Sequence, residues 1–182
     1  MRDKQHRFRN DIVVVPADGS EGIIHDPVAC FRVKPFKGFI QQKQVIRGEE
    51  GAEQGHTAAV AKLEKDCFSE PWSNDSIREA AEHGTEFFVA ENAEHLLGYI
   101  GIKPVLDEGY ITNVAVFPQY RKQGVATALI QRVFELAREK KLAFVSLEVR
   151  VSNSAAIALY EKASFKEEGR RKGFYRNPRE DA

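Results

Sequence analysis

Residues 113–130 read NVAVFPQYRKQGVATALI, and their pattern decides the fold. The first part, VAV followed by Phe117-Pro118, has the apolar character of a strand that a proline ends. The last part sets Val125, Leu129, Val133 and Leu136 at helical spacing, which predicts a helix from about Gly124 to Lys140. Only the short loop QYRKQG lies between them. A strand, a short loop with a glycine and a helix start leave backbone N–H groups without a helical partner, and the helix dipole adds partial positive charge. Anions bind at such places. Gly124 lets the backbone approach a ligand, Ala126 keeps the turn small, and Arg121 with Lys122 supplies positive charge at the rim. The loop is neither GxxxxGK[ST] nor GxGxxG, so it is not a P-loop or a dinucleotide fingerprint. Taken alone, a solvated βα turn explains it as well as an anion site does.

Outward from this loop the chain is regular from Val45 onward. VIR reads as a short strand, and TAAVAKLEKDCF (57–68) puts Ala58, Ala59, Val60, Ala61, Leu63 and Phe68 on a broad apolar helical face. Pro71 breaks that helix, and Ser73 or Asn74 can cap a second one. FFVAEN and LLGYIGIKPVL form a predicted hairpin around NAEH, and GYITNVAVF is a third strand. After the long helix come the strand AFVSLEVR, a short helix from Asn153 to about Lys162, and a strand-like FKEEGRRK. Strands followed by β-α-β-α-β specify an α/β fold with a mixed central sheet flanked by helices. Residues 1–44 lack sustained periodicity, because PADGSEG and HDP interrupt IVVVP and ACFRV. They read as an extension of unassigned role: a docking arm, a disordered tail, or upstream sequence from a wrong start site. Their removal is expected to spare turnover, since the motifs begin near Val45, and 45–182 form the expected catalytic domain.

Composition narrows the function. A chain of 182 residues suits one α/β domain with a short extension. Lys+Arg and Asp+Glu both number 27, so no global field favours nucleic acid or an acidic membrane as a partner. No apolar run approaches the roughly 18 residues of a membrane span. Cys30 and Cys67 have no metal-ligand or disulfide-framework spacing, and free thiols suit a reducing cytosol; no metal is expected, and the chain reads as cytoplasmic.

Two motifs in order carry a resemblance. R-x-x-G-x-A, as Arg121, Gly124 and Ala126, resembles the acetyl-coenzyme A pyrophosphate loop of the GNAT superfamily. LEVRVSNSAAIALYEKASF (147–165) resembles the second half of that fold, where Asn-x-x-A-x-x-x-Y closes over the cofactor thiol. With CFSEPWS (67–73) and RRKGFYRNPREDA (170–182), residues 45–182 look like the bacterial ribosomal-protein-alanine N-acetyltransferases, the RimI type. The resemblance implies acetyl-CoA as co-substrate and a protein N-terminus as substrate, the N-terminal alanine of ribosomal protein S18 being the best known. It implies that Val114, Ala115 and Val116 meet the pantetheine arm. Arg121 and the loop Lys122, Gln123, Gly124, Val125, Ala126 and Thr127 would hold the pyrophosphate, with Asn153 also touching the cofactor. It assigns the general base to Glu148 and the general acid to Tyr160. Family members usually carry one more apolar strand after the EDA triplet, so a last C-terminal strand is expected to be missing. They also often have Leu-Gly in place of Ala163-Ser164 and Tyr in place of Phe174.

The chemistry needs such residues. A protein α-amine has a pKa of about 7.7–8.0, so much of it is protonated at neutral pH and cannot attack a thioester. Glu148 lies between Leu147 and Val149, so strand alternation turns it to the face opposite theirs, where a cleft would let it act as a base, directly or through a water. Tyr160 falls seven residues after Asn153 and shares a helical face with it and Ala156, placed to protonate a leaving thiolate. A backbone N–H near Val116 could hold the oxyanion. Without the resemblance, Glu148 reads equally as a solvated strand glutamate and Tyr160 as a core tyrosine. Trp72 and Tyr175 read as packing residues, and His83 and His95 as surface histidines. Two other readings stay open: acetylation of a lysine or small-molecule amine, and an acyl-coenzyme A binding module without turnover.

Overall fold

The strand EFFVAE is apolar on both faces because helices cover both sides of its sheet. Phe87 and Phe88 are both fully buried, yet they serve different cores. Phe87 shares one with Val60, Leu63, Ile77 and Tyr99; Phe88 shares the other with Ile100, Leu129, Val133 and Phe165. In this computed structural model residues 53–182 are described, together with two earlier strands, β1 (Phe8–Asp11) and β2 (Gln41–Ile46). Cys30 lies outside the described residues.

Helices α1 (Glu53–Cys67) and α2 (Asn74–Glu82) cover one face of the sheet. Strands β3 (Glu86–Glu91), β4 (Leu96–Val105) and β5 (Glu108–Val116) form an antiparallel meander with β2 at its edge. Helix α3 (Val125–Glu139) leads to β6 (Phe144–Leu147), which pairs parallel with β5, and α4 (Ser154–Lys162) leads to β7 (Lys166–Glu167). A separate hairpin, β8 (Tyr175–Arg176) and β9 (Arg179–Glu180), follows. The mixed sheet flanked by helices matches the expected fold class.

The sheet order is β2-β3-β4-β5-β6-β1-β7. The boundary expected at 44/45 falls inside β2, whose Gln41–Gln44 already pair with β3. The strand beside β6 is β1, from the N-terminal segment. Phe8 stands opposite Leu147 and Asp11 opposite Phe144, while Phe8 and Arg9 also pair with Glu167 and Lys166. Among the described residues, β6 would otherwise be an open edge and β7 would have no sheet partner. Four residues with scattered charges carry no readable period, so this strand was not visible in the sequence. The predicted strand FKEEGRRK joins the main sheet at Lys166 and Glu167, and Gly169 at φ 148° turns the chain away. Ser164, where the family often has glycine, stands at φ 68° after α4, in the left-handed region that a side chain disfavours.

One feature of the sheet positions the site. β5 and β6 are paired only through Glu108–Tyr110 and Phe144–Ser146. Beyond that point β6 ends, while β5 runs on to Val116 with a partner on its β4 side alone, so the two strands part and a wedge opens between them.

Candidate active site

The wedge is the mouth of a cleft of about 700 Å³. One wall is β5, from Ile111 to Val116, and the facing wall runs from Leu147 through Arg150 to α4. The N–H of Phe117 donates to Leu97 O (3.0 Å), and Ala115 stands opposite Tyr99. Antiparallel bonding alternates, so Ala115 and Phe117 turn their backbone groups to β4, and Val114 and Val116 turn theirs into the wedge. Val114 and Val116 thus offer main-chain donors and acceptors to an extended ligand arm. The Val116 carbonyl already accepts from Arg121 Nε at 3.0 Å.

The phosphate loop is built as its residues demand. A 3-10 turn (Pro118–Tyr120) leads to Lys122 and Gly124, both with positive φ, 58° and 87°. Gly124 is the N-cap of α3 and gives it no side-chain cap. The first helical bond is Ala128 N–H to Gly124 O, so the N–H groups of Val125, Ala126 and Thr127 have no helical acceptor. Three donors at a positive dipole end, lining a cleft, fit a pyrophosphate. Lys122 and Gly124 line the same cleft. Arg121 is held back by Val116 and by the Cys67 sulfur at 3.4 Å, so it secures the strand end as well as lining the rim. Gln123 turns away from the cleft: its Nε2 donates to Gln119 O at 2.7 Å and tightens the loop. Gly124→Glu is expected to weaken acetyl-CoA binding at least tenfold, because it adds a side chain at φ 87° and a negative charge where an anion sits. Calorimetric titration of the folded variant checks this, and an unchanged Kd refutes the assignment.

The expected acid and base meet in the same cleft. Leu147 and Val149 are buried in the core, and Glu148 between them turns to the other side, as alternation requires. Its side chain is only 3% exposed. Arg171 Nη1 donates to its Oε1 at 3.0 Å. The Tyr110 phenol also hydrogen-bonds Glu148; burial first and that carboxylate second raise the phenol's pKa well above the ordinary range. Tyr160 is buried and packs its ring edge-on to Phe165. Burial, and then the charge of Tyr175, push its pKa upward, so the phenol keeps its proton through the physiological range. Asn153 also lines the cleft, and its Oδ1 caps α4 by accepting from Ala156 N–H at 3.2 Å.

Several residues here had no signal in the sequence. Arg171, Tyr110 and Arg150 reach the site from separate elements, and only folding brings them together. Arg150 donates to Pro178 O (3.0 Å), Asn177 O (2.9 Å) and Glu180 Oε2 (3.2 Å), and its guanidinium lies 4.1 Å from the Tyr175 ring centre. It therefore seats the β8–β9 hairpin over the cleft, and Ser69 Oγ reaches the same hairpin at Asn177 O from the α1–α2 loop. Tyr175, read as packing, lines the cleft, and its phenol is pushed up to about 12, chiefly by burial. Trp72 packs as expected, edge-on to Phe87. Glu64 is the largest omission. It is fully buried on α1, accepts from Tyr99 OH, Trp72 N–H (2.8 Å) and Asn113 Nδ2 (3.2 Å), and burial raises its pKa. Among the described residues no group of three or more His, Cys, Asp or Glu could hold a metal ion, and no helix is long and apolar enough to cross a membrane.

Known proteins share this arrangement. Residues 57–165 match the acetyltransferase (GNAT) family. A Bacillus subtilis protein, provisionally named a ribosomal protein bS18-alanine N-acetyltransferase, is 41% identical over 125 residues, which are 68% of this chain and 83% of that protein. The Escherichia coli K12 enzyme of that name is 34% identical over 127 residues, 68% of this chain and 85% of its own. The crystal structure of the ribosomal-protein-S18-alanine N-acetyltransferase from Escherichia coli superposes with a TM-score of 0.68 at 28% identity, covering 79% of this chain and 89% of that one. The chain belongs to the GNAT acetyltransferase family, and its relatives are of the RimI type.

Proposed function

We propose that this N-acetyltransferase acetylates the α-amine of a protein N-terminus, with the N-terminal alanine of ribosomal protein S18 as its substrate in the cytoplasm. The observation that carries the proposal is one cleft lined by an uncapped helix start, open β5 backbone groups, Glu148 and Tyr160. The names of the Bacillus and Escherichia relatives support the alanine terminus.

Acetyl-CoA supplies the acyl group as a thioester. The α3 N-terminus binds its pyrophosphate, and β5 pairs with its arm through Val114 and Val116. Glu148 takes a proton from the incoming ammonium, which frees the nitrogen lone pair for attack on the thioester carbonyl. The Val116 region gives a backbone N–H to the oxygen that gains charge. As the C–S bond breaks, Tyr160 gives its proton to the sulfur and the nitrogen releases its second proton to bulk water, which also restores the phenol and takes up the proton held by Glu148. The net result is one new amide bond and one free thiol, with no acyl-enzyme.

An unblocked peptide beginning with Ala should be acetylated at its α-amine at least tenfold faster than at an internal lysine. A lysine amine has a pKa near 10.4, so at neutral pH roughly a few hundredfold less of it is neutral. Mass spectrometry locates the acetyl group. Predominant lysine modification, or activity only on small amines, would move the chain to a different substrate class; cofactor binding without thiol release would make it a binding module.

A further inference from the structure

We propose that Arg171 is a positioning residue for the transfer, a fixed cation that holds the Glu148 carboxylate aimed within the cleft. This rests on the reading of Glu148 as the base. The ion pair is asymmetric: the Glu148 side chain is 3% exposed, whereas that of Arg171 is 36% exposed. A nearly dry carboxylate needs a partner to stay ionised, and a cation that keeps one edge in water supplies it at a smaller desolvation cost. Arg171 is itself immobilised. Its main chain exchanges both hydrogen bonds with Ala182, at 2.8 and 3.0 Å, and its guanidinium lies 4.6 Å from the Phe174 ring centre. Planar contact with a carboxylate and an aromatic face at once suits arginine better than lysine.

The groups facing Glu148 come from three directions. Arg171 reaches it from the segment before β8, Tyr110 from β5, and Tyr175 from β8, where Arg150 and Glu180 also act on that phenol. Arg171 is the cation in direct contact with the carboxylate among these groups. Without it the carboxylate loses its fixed direction and swings toward water. That change takes the base away from the amine.

The test is the pH profile of turnover for Arg171→Met and Arg171→Lys, with Glu148→Gln and the double variant beside them. Arg171→Met should lower kcat roughly 10- to 100-fold near pH 7 and recover several-fold by pH 9, with KM for acetyl-CoA unchanged. Arg171→Lys, which keeps the charge, should regain most of the loss. Adding Arg171→Met to Glu148→Gln should cost nothing further, because the residue acts through Glu148. If Met at 171 prevents folding, Arg171→Gln keeps the polar contact without the charge and serves the same comparison. A loss of equal size at every pH, or a further loss in the Glu148→Gln background, overturns the proposal and leaves Glu148 as base. If Glu148→Gln alone turns over like the wild type, the base assignment fails first and takes the role of Arg171 with it.

Discussion

Glu148→Gln is expected to lower turnover by ~10²–10⁴ with little change in acetyl-CoA affinity, since glutamine keeps the size and polar contacts of the side chain but cannot take the proton. The deficit should shrink as pH rises through the α-amine's pKa of about 7.7–8.0, because more substrate then arrives neutral. Tyr160→Phe should show the opposite slope. In the proposed mechanism its buried phenol supplies a proton to the leaving sulfur, and at high pH bulk water replaces that donor poorly, so its deficit should grow. Stopped-flow detection of free thiol across pH 6.5–9.5 on folded variants distinguishes the two (a range chosen to span roughly the amine titration). Parallel slopes would falsify the division of roles, and near wild-type turnover in both would make the pair structural.

The second large effect is expected from the N-terminal segment. Asn10 stands opposite Val145 in the middle of β1, between β6 and β7. Asn10→Pro removes a backbone donor inside the sheet, where proline is not accommodated. A loss of about 3 kcal/mol is expected, which for a domain of this size lowers Tm by roughly 6–12 °C. Because Phe8 pairs with Leu147, the neighbour of Glu148, turnover measured well below Tm should fall as well. Deletion of residues 1–11 should do the same more severely. If both proteins keep their Tm and turnover, β1 is not part of the working sheet, and the extension is as dispensable as its sequence suggests.

The helical half of the fold was legible because its apolar residues repeat over many turns. Val125, Leu129, Val133 and Leu136 are all buried, and α3 starts and stops within a residue of its expected ends. Alternation also placed Glu148 opposite Leu147 and Val149. Periodicity is silent on polar residues that fold inward. Glu64 lies on the very face of α1 whose apolar stripe defined the helix, and only Tyr99, Asn113 and the Trp72 amide make its burial tolerable. Those partners lie 8 to 49 positions away, so no local pattern could reveal them. The same holds for Arg171, one basic residue in the run GRRK, whose distinction is the carboxylate it meets 23 positions upstream. The strand β1 was missed because four residues form no period, and its meaning lies in the edge that receives it.

That strand also sets an order on biosynthesis. Phe8–Asp11 leave the ribosome before the rest of the sheet, yet the strands on either side of them are made well over a hundred residues later. At about 5–20 residues per second the segment waits on the order of ten seconds before its neighbours exist. In that interval helix α1 and the β3–β5 meander can pack from local contacts alone, while the catalytic half of the sheet stays unclosed. A strand made early is thus among the last to be fastened, and the sheet closes only when β1 meets partners made long after it.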